Sequence, residues 1–147
     1  MAENEQALAV IELLYRLTRS LTEDVRSHVT EVADLDPGEF VLLRAIAGGT
    51  TSPGELSRAV SSHPAATSRI LTRLSRAGLI QRRPDPDDSR RTEITLTAQG
   101  RTVTRRIAAR IRPRLQQRLD RLGAGEAARF VDTLRLLLPA EHAADRP

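Results

Sequence analysis

The sequence predicts a mainly α fold carrying one small β-hairpin, and three observations predict it. Apolar residues recur at three- and four-residue steps through most of the chain, the period of a helix with one buried face. Two helix starts of the same design occur, Asp36-Pro37-Gly38-Glu39 and Ser52-Pro53-Gly54-Glu55. Two short segments of alternating polarity flank a tip rich in Pro and Asp, Pro84-Asp85-Pro86-Asp87-Asp88-Ser89-Arg90.

Residues 5–33 read as one helix, with Leu14, Leu17, Leu21, Val25, Val29 and Val32 on a single face. Such a rod is roughly 40 Å long, more than one small domain can cover, so part of it should pack on a second subunit. The doubled starts place Asp36 and Ser52 as N-caps, Pro at the first helical position, and Glu39 and Glu55 closing capping boxes. They open helices over 37–47, which stops at Gly48-Gly49, and over 53–60. After the turn Ser61-Ser62-His63, Pro64 starts a helix over 64–77, capped by His63 or Ser62 and ended by Gly78. Its inner side is Ala66 or Thr67, Ile70, Leu71 and Leu74. Its outer side is Ala65, Ser68, Arg69, Thr72, Arg73 and Arg76, polar and basic.

Strands follow over 79–83 and 91–96, with Ile80, Ile94 and Leu96 as their apolar positions. Thr97 caps a long Arg-rich helix to Leu122, with a bend expected near Arg110–Pro113 because proline lacks the helical N–H. Gly123-Ala124-Gly125 breaks it, and a last helix spans 126–138 before Pro139. A helix pair followed by a basic hairpin is a winged helix-turn-helix. The expected layout is a single domain over 1–147, with the lobe in 36–97, dimerisation helices in 1–35 and 98–140, and a disordered tail over 141–147.

Charge is distributed unevenly. Residues 1–57 carry four Arg against ten acids, whereas 58–91 carry eight Arg against three Asp and 92–122 carry eight Arg against two acids. A basic middle behind an acidic start points to a nucleic-acid face. All 23 bases are Arg, whose planar fork pairs with phosphate or guanine. Tyr15, Phe40 and Phe130 are the only aromatics, too few to stack unpaired bases, so duplex DNA is the expected partner.

Other classes are disfavoured. With no Cys there is no disulfide framework, thiolate zinc site or thiol sensor. His28, His63 and His142 have no metal-binding spacing, so no metal and no cofactor are expected. No paired carboxylates, nucleophile–base constellation or phosphate loop is present, so an enzyme is not expected. No apolar run reaches the ~18 residues of a membrane span, and the acidic N-terminus is not a secretory signal. The expected location is cytoplasmic.

At this point the chain resembles a MarR-family transcriptional regulator. Asp88-Ser89-Arg90, followed by Ile94, Leu96, Thr97 and Gly100, resembles the family's D-x-R…L-T-x-x-G wing signature. Ser68-Arg69, Leu74 and Gly78-Leu79 resemble its recognition-helix pattern, and Leu35-Asp36 with Glu39 resembles its start to the second helix. The resemblance covers essentially the whole chain in element order. It implies a two-fold dimer, joined through its first, fifth and sixth helices, that represses from a palindromic operator and is released by a small anionic aromatic compound. The cysteine of the peroxide-sensing branch and the first-helix Trp of the urate-responsive branch are both missing.

The resemblance and the residues together name a DNA face. Ser62, His63, Ala65, Ala66 and Ser68 stand at the start of the recognition helix, where backbone amides meet phosphates and small side chains allow close approach. Arg69, Thr72, Arg73 and Arg76 continue the strip, with Arg73 expected closer to bases and Arg69 to phosphate or the wing. In the wing, Arg90 and Arg91 would reach the minor groove, and Asp88 would hold one of them. An effector pocket would lie between the first, second and fifth helices, lined by Tyr15, Arg16, Arg19, Phe40 and Arg44. The competing reading is an architectural DNA-binding protein with little sequence preference and no effector.

Overall fold

A computed structural model describes residues 2–139; the tail over 141–147 and His142 lie outside the described residues. The chain forms α1 (Ala2–Val32), α2 (Pro37–Ala47), α3 (Pro53–Ala59), α4 (Pro64–Arg76), β1 (Ile80–Pro84), β2 (Thr92–Leu96), α5 (Ala98–Leu119) and α6 (Glu126–Leu137). It divides into two compact units, one up to Ile111 and one from Arg112 onward.

In the first unit the capping chemistry sets the helix starts. Asp36 Oδ1 accepts from Glu39 N–H at 2.9 Å, and Glu39 Oε2 accepts from Asp36 N–H at 2.9 Å, a complete capping box. At α3 only the forward bond forms, from Glu55 N–H to Ser52 Oγ at 3.2 Å. Glu55 is exposed, so water serves its carboxylate as well as a backbone amide would. The turn between α3 and α4 puts Ser61 at φ 49°, a left-handed conformation uncommon outside glycine. His63, not Ser62, is the N-cap of α4, and its side chain makes no capping bond. Gly78, at φ 74°, ends the helix as a C′ glycine should.

The core of the first unit is built from one face of each of its elements. Leu42 and Leu43 of α2, Leu56 of α3, Leu71 and Leu74 of α4, and Ile94 of β2 are all fully buried. Each such side chain contributes about 1.5–3 kcal/mol relative to exposure. Thr67 joins the inner side of α4, while Ala66 and Ile70 are only half-buried. Ile107 and Ile111 of α5 and Val29 of α1 complete the core.

The strands pair antiparallel with Ile80 opposite Leu96, Arg82 opposite Ile94 and Pro84 opposite Thr92. Because side chains alternate, Ile80, Leu96, Ile94 and Arg82 share one face. The seven-residue tip is closed by Asp85 N–H to the Arg91 carbonyl at 2.9 Å. One bond not foreseen ties the hairpin back to the helices: Ile94 N–H donates to the Thr51 carbonyl at 2.8 Å.

Thr97 caps α5 through Gly100 N–H at 3.0 Å and donates its own hydroxyl to the Gly78 carbonyl at 2.6 Å. The helix continues unbroken through Pro113, and the division between the two units falls two residues earlier. It ends at Leu119 rather than Leu122, because Arg121 and Leu122 N–H turn to the carbonyls three residues back. Glu31 of α1 pairs with Arg110 of α5, so the acidic first helix and the basic fifth meet within one chain.

Candidate nucleic-acid interface

Helix α4 carries the candidate reading face. Ala65, Ser68, Arg69 and Arg76 are exposed on it, and Thr72 is half-buried. Ser68, Arg69, Thr72, Arg73 and Arg76 together line one shallow groove. At the helix start His63 is exposed, while Ser62 and Ala66 are half-buried. No acidic residue stands in the first turn of α4, and Arg73 and Arg76 stand in its last. The whole exposed strip is therefore small, hydroxylic or cationic.

The sequence reading missed Arg82. Its register places it on the inner face of the hairpin, one step outward from Ile80, and its Nη2 donates to Thr72 Oγ1 at 3.4 Å. The alternation of residues 80, 82 and 84 carried that signal. Period 2 sends the side chain of the neighbouring Arg83 to the opposite face. Arg83 instead reaches Gln81 Oε1 at 3.1 Å.

The arginines of α4 do not share one environment. Arg69 and Arg76 extend into solvent. Arg73 places Nη1 at 2.8 Å from Glu39 Oε1 and donates Nη2 to the Asp34 carbonyl at 3.0 Å. Glu39 is 1% exposed. The expectation that Arg73 stands closest to the bases thus meets a guanidinium already engaged by the scaffold.

In the wing, Asp88 was expected to hold an arginine side chain by a paired hydrogen bond, and the structure instead gives it a short bond to backbone and longer contacts to two guanidiniums. Its Oδ1 accepts from Arg90 N–H at 3.0 Å and lies 3.5 Å from Arg90 Nε, while Oδ2 lies 3.8 Å from Arg91 Nε. Arg91 N–H closes the turn on the Asp88 carbonyl at 2.9 Å. The short bond is to backbone, so Asp88 shapes the tip more than it neutralises it. The Arg90 side chain is 92% exposed and free to reach outward. Asp85 and Asp87 are turn formers, with Asp87 N–H bonded to Asp85 Oδ1 at 2.8 Å.

Of the five expected effector residues, Phe40 is buried in the core, and Tyr15, Arg16, Arg19 and Arg44 are exposed. Arg16 lies 3.7 Å from Glu12 along α1. A cavity of about 440 Å³ lies elsewhere, lined in part by Ile46, Thr51, Ile94, Leu96, Arg101 and Arg105, and none of the five borders it.

The MarR-family model matches residues 33–91, from the α1–α2 joint to the end of the wing tip. The chain is 33% identical over 129 residues to the HTH-type transcriptional repressor Rv2887 of Mycobacterium tuberculosis, covering 85% of this chain and 90% of that relative. It belongs to the MarR family. Members are transcription regulators and not enzymes, so this chain is a DNA-binding transcriptional regulator. Among solved structures it is similar to the M. tuberculosis Rv2887 complex with p-aminosalicylic acid, at 31% identity and TM-score 0.66, covering 86% of this chain and 95% of that one. A mutant MarR from E. coli complexed with operator DNA shares the fold, with TM-score 0.76 at 24% identity over 91% of this chain and 96% of the other. The MarR fold explains why a two-stranded hairpin follows the helix pair and why long helices flank both. Among the described residues no helix is long and apolar enough to cross a membrane.

Proposed function

We propose that this MarR-family chain is a cytoplasmic, homodimeric repressor that occupies a pseudo-palindromic duplex operator. The observation that carries this reading is the pairing of the α4 strip with a wing whose tip Asp88 organises. Ser62, His63, Ala65, Ala66, Ser68, Arg69, Thr72 and Arg76 would approach the major groove, with Arg82 beside them. Arg90 and Arg91 would enter the flanking minor groove. Arg73 belongs to the same face, with its guanidinium engaged by Glu39 and the Asp34 carbonyl.

Dimerisation through the segments 1–35 and 98–140 is supported by unpartnered apolar surface. Leu8 and Ile11 are each 68% exposed in α1, and Leu136 is 86% exposed at the end of α6. Side chains of that size in contact with water favour burial against a second copy. The protein is expected to sediment as a dimer at micromolar concentration and to protect two half-sites about 34 Å apart. A stable monomer there would remove the dimer from the proposal.

Selection of bound duplexes from a random pool, followed by competition with shuffled DNA, tests the function. A preference of about 10³ or more is expected for the selected site. A ratio near one would favour the architectural reading. The effector is proposed to be a small aromatic carboxylate, because the Rv2887 relative was crystallised with p-aminosalicylic acid. Tyr15, Arg16, Arg19 and Arg44 offer a ring and three exposed guanidiniums for it, whereas Phe40 is buried in the core. Titrating p-aminosalicylate into the DNA complex should release the DNA, and unchanged binding at millimolar concentration would sink this part.

A further inference from the structure

We propose that Arg73 is a positioning residue, which acts on Glu39 and the α1–α2 joint rather than on DNA and so sets the pose in which α4 meets the groove. This rests on the reading of α4 as the recognition helix. The geometry is a closed hub. The Glu39 carboxylate has two oxygens: Oε2 accepts from Asp36 N–H at 2.9 Å, and Oε1 meets Arg73 Nη1 at 2.8 Å. The second arm of the same guanidinium donates to the Asp34 carbonyl at 3.0 Å. One planar fork therefore joins the last turn of α4 to the four-residue joint between α1 and α2, residues 33–36, and to the first turn of α2.

Three features separate this from an ordinary surface ion pair. Glu39 is sealed from water, so its carboxylate depends on these donors. The Arg73 bonds cross 34 and 39 positions of sequence, so they fix tertiary placement and not local helix. Both arms use the fixed spacing of a guanidinium, which an ammonium cannot reproduce. Ser68 and Arg69, one turn before Arg73, inherit their position from it. The clamp also gives any movement of α1 a direct mechanical path to the reading helix.

The test compares Arg73→Ala, Arg73→Lys and Glu39→Gln with wild type on operator and shuffled duplex, across a salt series. Glu39→Gln keeps an oxygen for the Asp36 amide and removes only the charge that Arg73 needs. Thermal melts and circular dichroism confine the comparison to temperatures where each variant is fully folded. All three variants are expected to lose operator affinity by about tenfold while binding shuffled DNA as before, with an unchanged salt slope. The Glu39→Gln/Arg73→Ala double variant should be no worse than either single one, as for two residues of one unit. A direct phosphate contact predicts the opposite pattern. Arg73→Lys would then keep its affinity, Arg73→Ala would lower the salt slope by about one, and Glu39→Gln, which removes an acid, would hold or raise affinity. That result would overturn the clamp. Arg69→Ala, outside the hub, distinguishes the clamp from the role of α4 as recognition helix. If it weakens binding and Glu39→Gln does not, the clamp alone fails. If neither it nor the selected site shows sequence preference, the recognition-helix reading fails first.

Discussion

Replacing Gly100 with alanine is expected to cost at least ~3 kcal/mol and to lower the melting temperature by roughly 6–12 °C. A Cβ at this position would stand 1.9 Å from the Leu79 carbonyl oxygen and 2.9 Å from its carbonyl carbon. Neither is the end of a mobile side chain. The same oxygen accepts from Thr97 N–H at 3.0 Å, and Thr97 Oγ1 holds both the Gly100 amide and the Gly78 carbonyl. The start of α5 is thus pressed onto the corner between α4 and β1, and a methyl group can enter only by pushing the helix away. Gly54→Ala is the control, since a Cβ there meets nothing within 4 Å. It should leave stability unchanged or raise it by up to ~1 kcal/mol. Thermal unfolding of the two variants decides the matter, and a Gly100→Ala protein as stable as wild type would refute the close-packing account of the L-T-x-x-G signature.

Glycine at position 100 illustrates what was legible in the sequence. Its spacing from Thr97 was readable as a family pattern, but the reason for it, the backbone of Leu79, comes from a residue far from it in sequence. Local chemistry was read well where a single turn decides it, except at Glu55, whose side chain does not close the second capping box. The Asp36 capping box, the proline starts of α2, α3 and α4 and the C′ glycine at 78 all lie where their own neighbours put them. The boundaries that moved did so by one to three residues at fraying ends, as at Leu119. What the sequence could not show was which arginine of a strip is engaged. Arg69, Arg73 and Arg76 share one helical face, yet only Arg73 finds a buried carboxylate, supplied by α2. Arg82 shows the converse: alternation puts it on the face of Ile80, but its contact with Thr72, ten positions away, is visible only in the structure. The effector residues rested on helix adjacency and on arginine beside an aromatic ring, and in the structure Phe40 is buried in the core while the others are exposed.

The wing offers the sharpest test of the DNA face, because its two key substitutions change charge in opposite directions and are expected to have the same effect. Arg90→Ala removes an almost fully exposed cation that makes no short side-chain bond, only the 3.5 Å contact with Asp88. Its loss should weaken operator binding by about tenfold near physiological salt and lower the salt slope by about one. Asp88→Ala removes an anion from a DNA-facing loop, which simple electrostatics predicts to strengthen binding. The structure predicts weakening instead. Asp88 holds the Arg90 amide at 3.0 Å and lies near both guanidiniums, so without it the tip loses the turn that aims them. Ordering that loop again on DNA would cost conformational entropy of about 1–2 kcal/mol per residue fixed. Asp88→Asn separates shape from charge, because its amide oxygen still accepts from the Arg90 backbone. It should bind close to wild type while Asp88→Ala falls toward Arg90→Ala. Titrations of all three on the selected duplex, with sedimentation to confirm an unchanged assembly, give the ranking. If Asp88→Ala binds more tightly than wild type, the acid merely repels phosphate and the wing is not pre-shaped. If Arg90→Ala binds as wild type does, the wing does not enter the groove, and the reading face must be confined to α4 and Arg82.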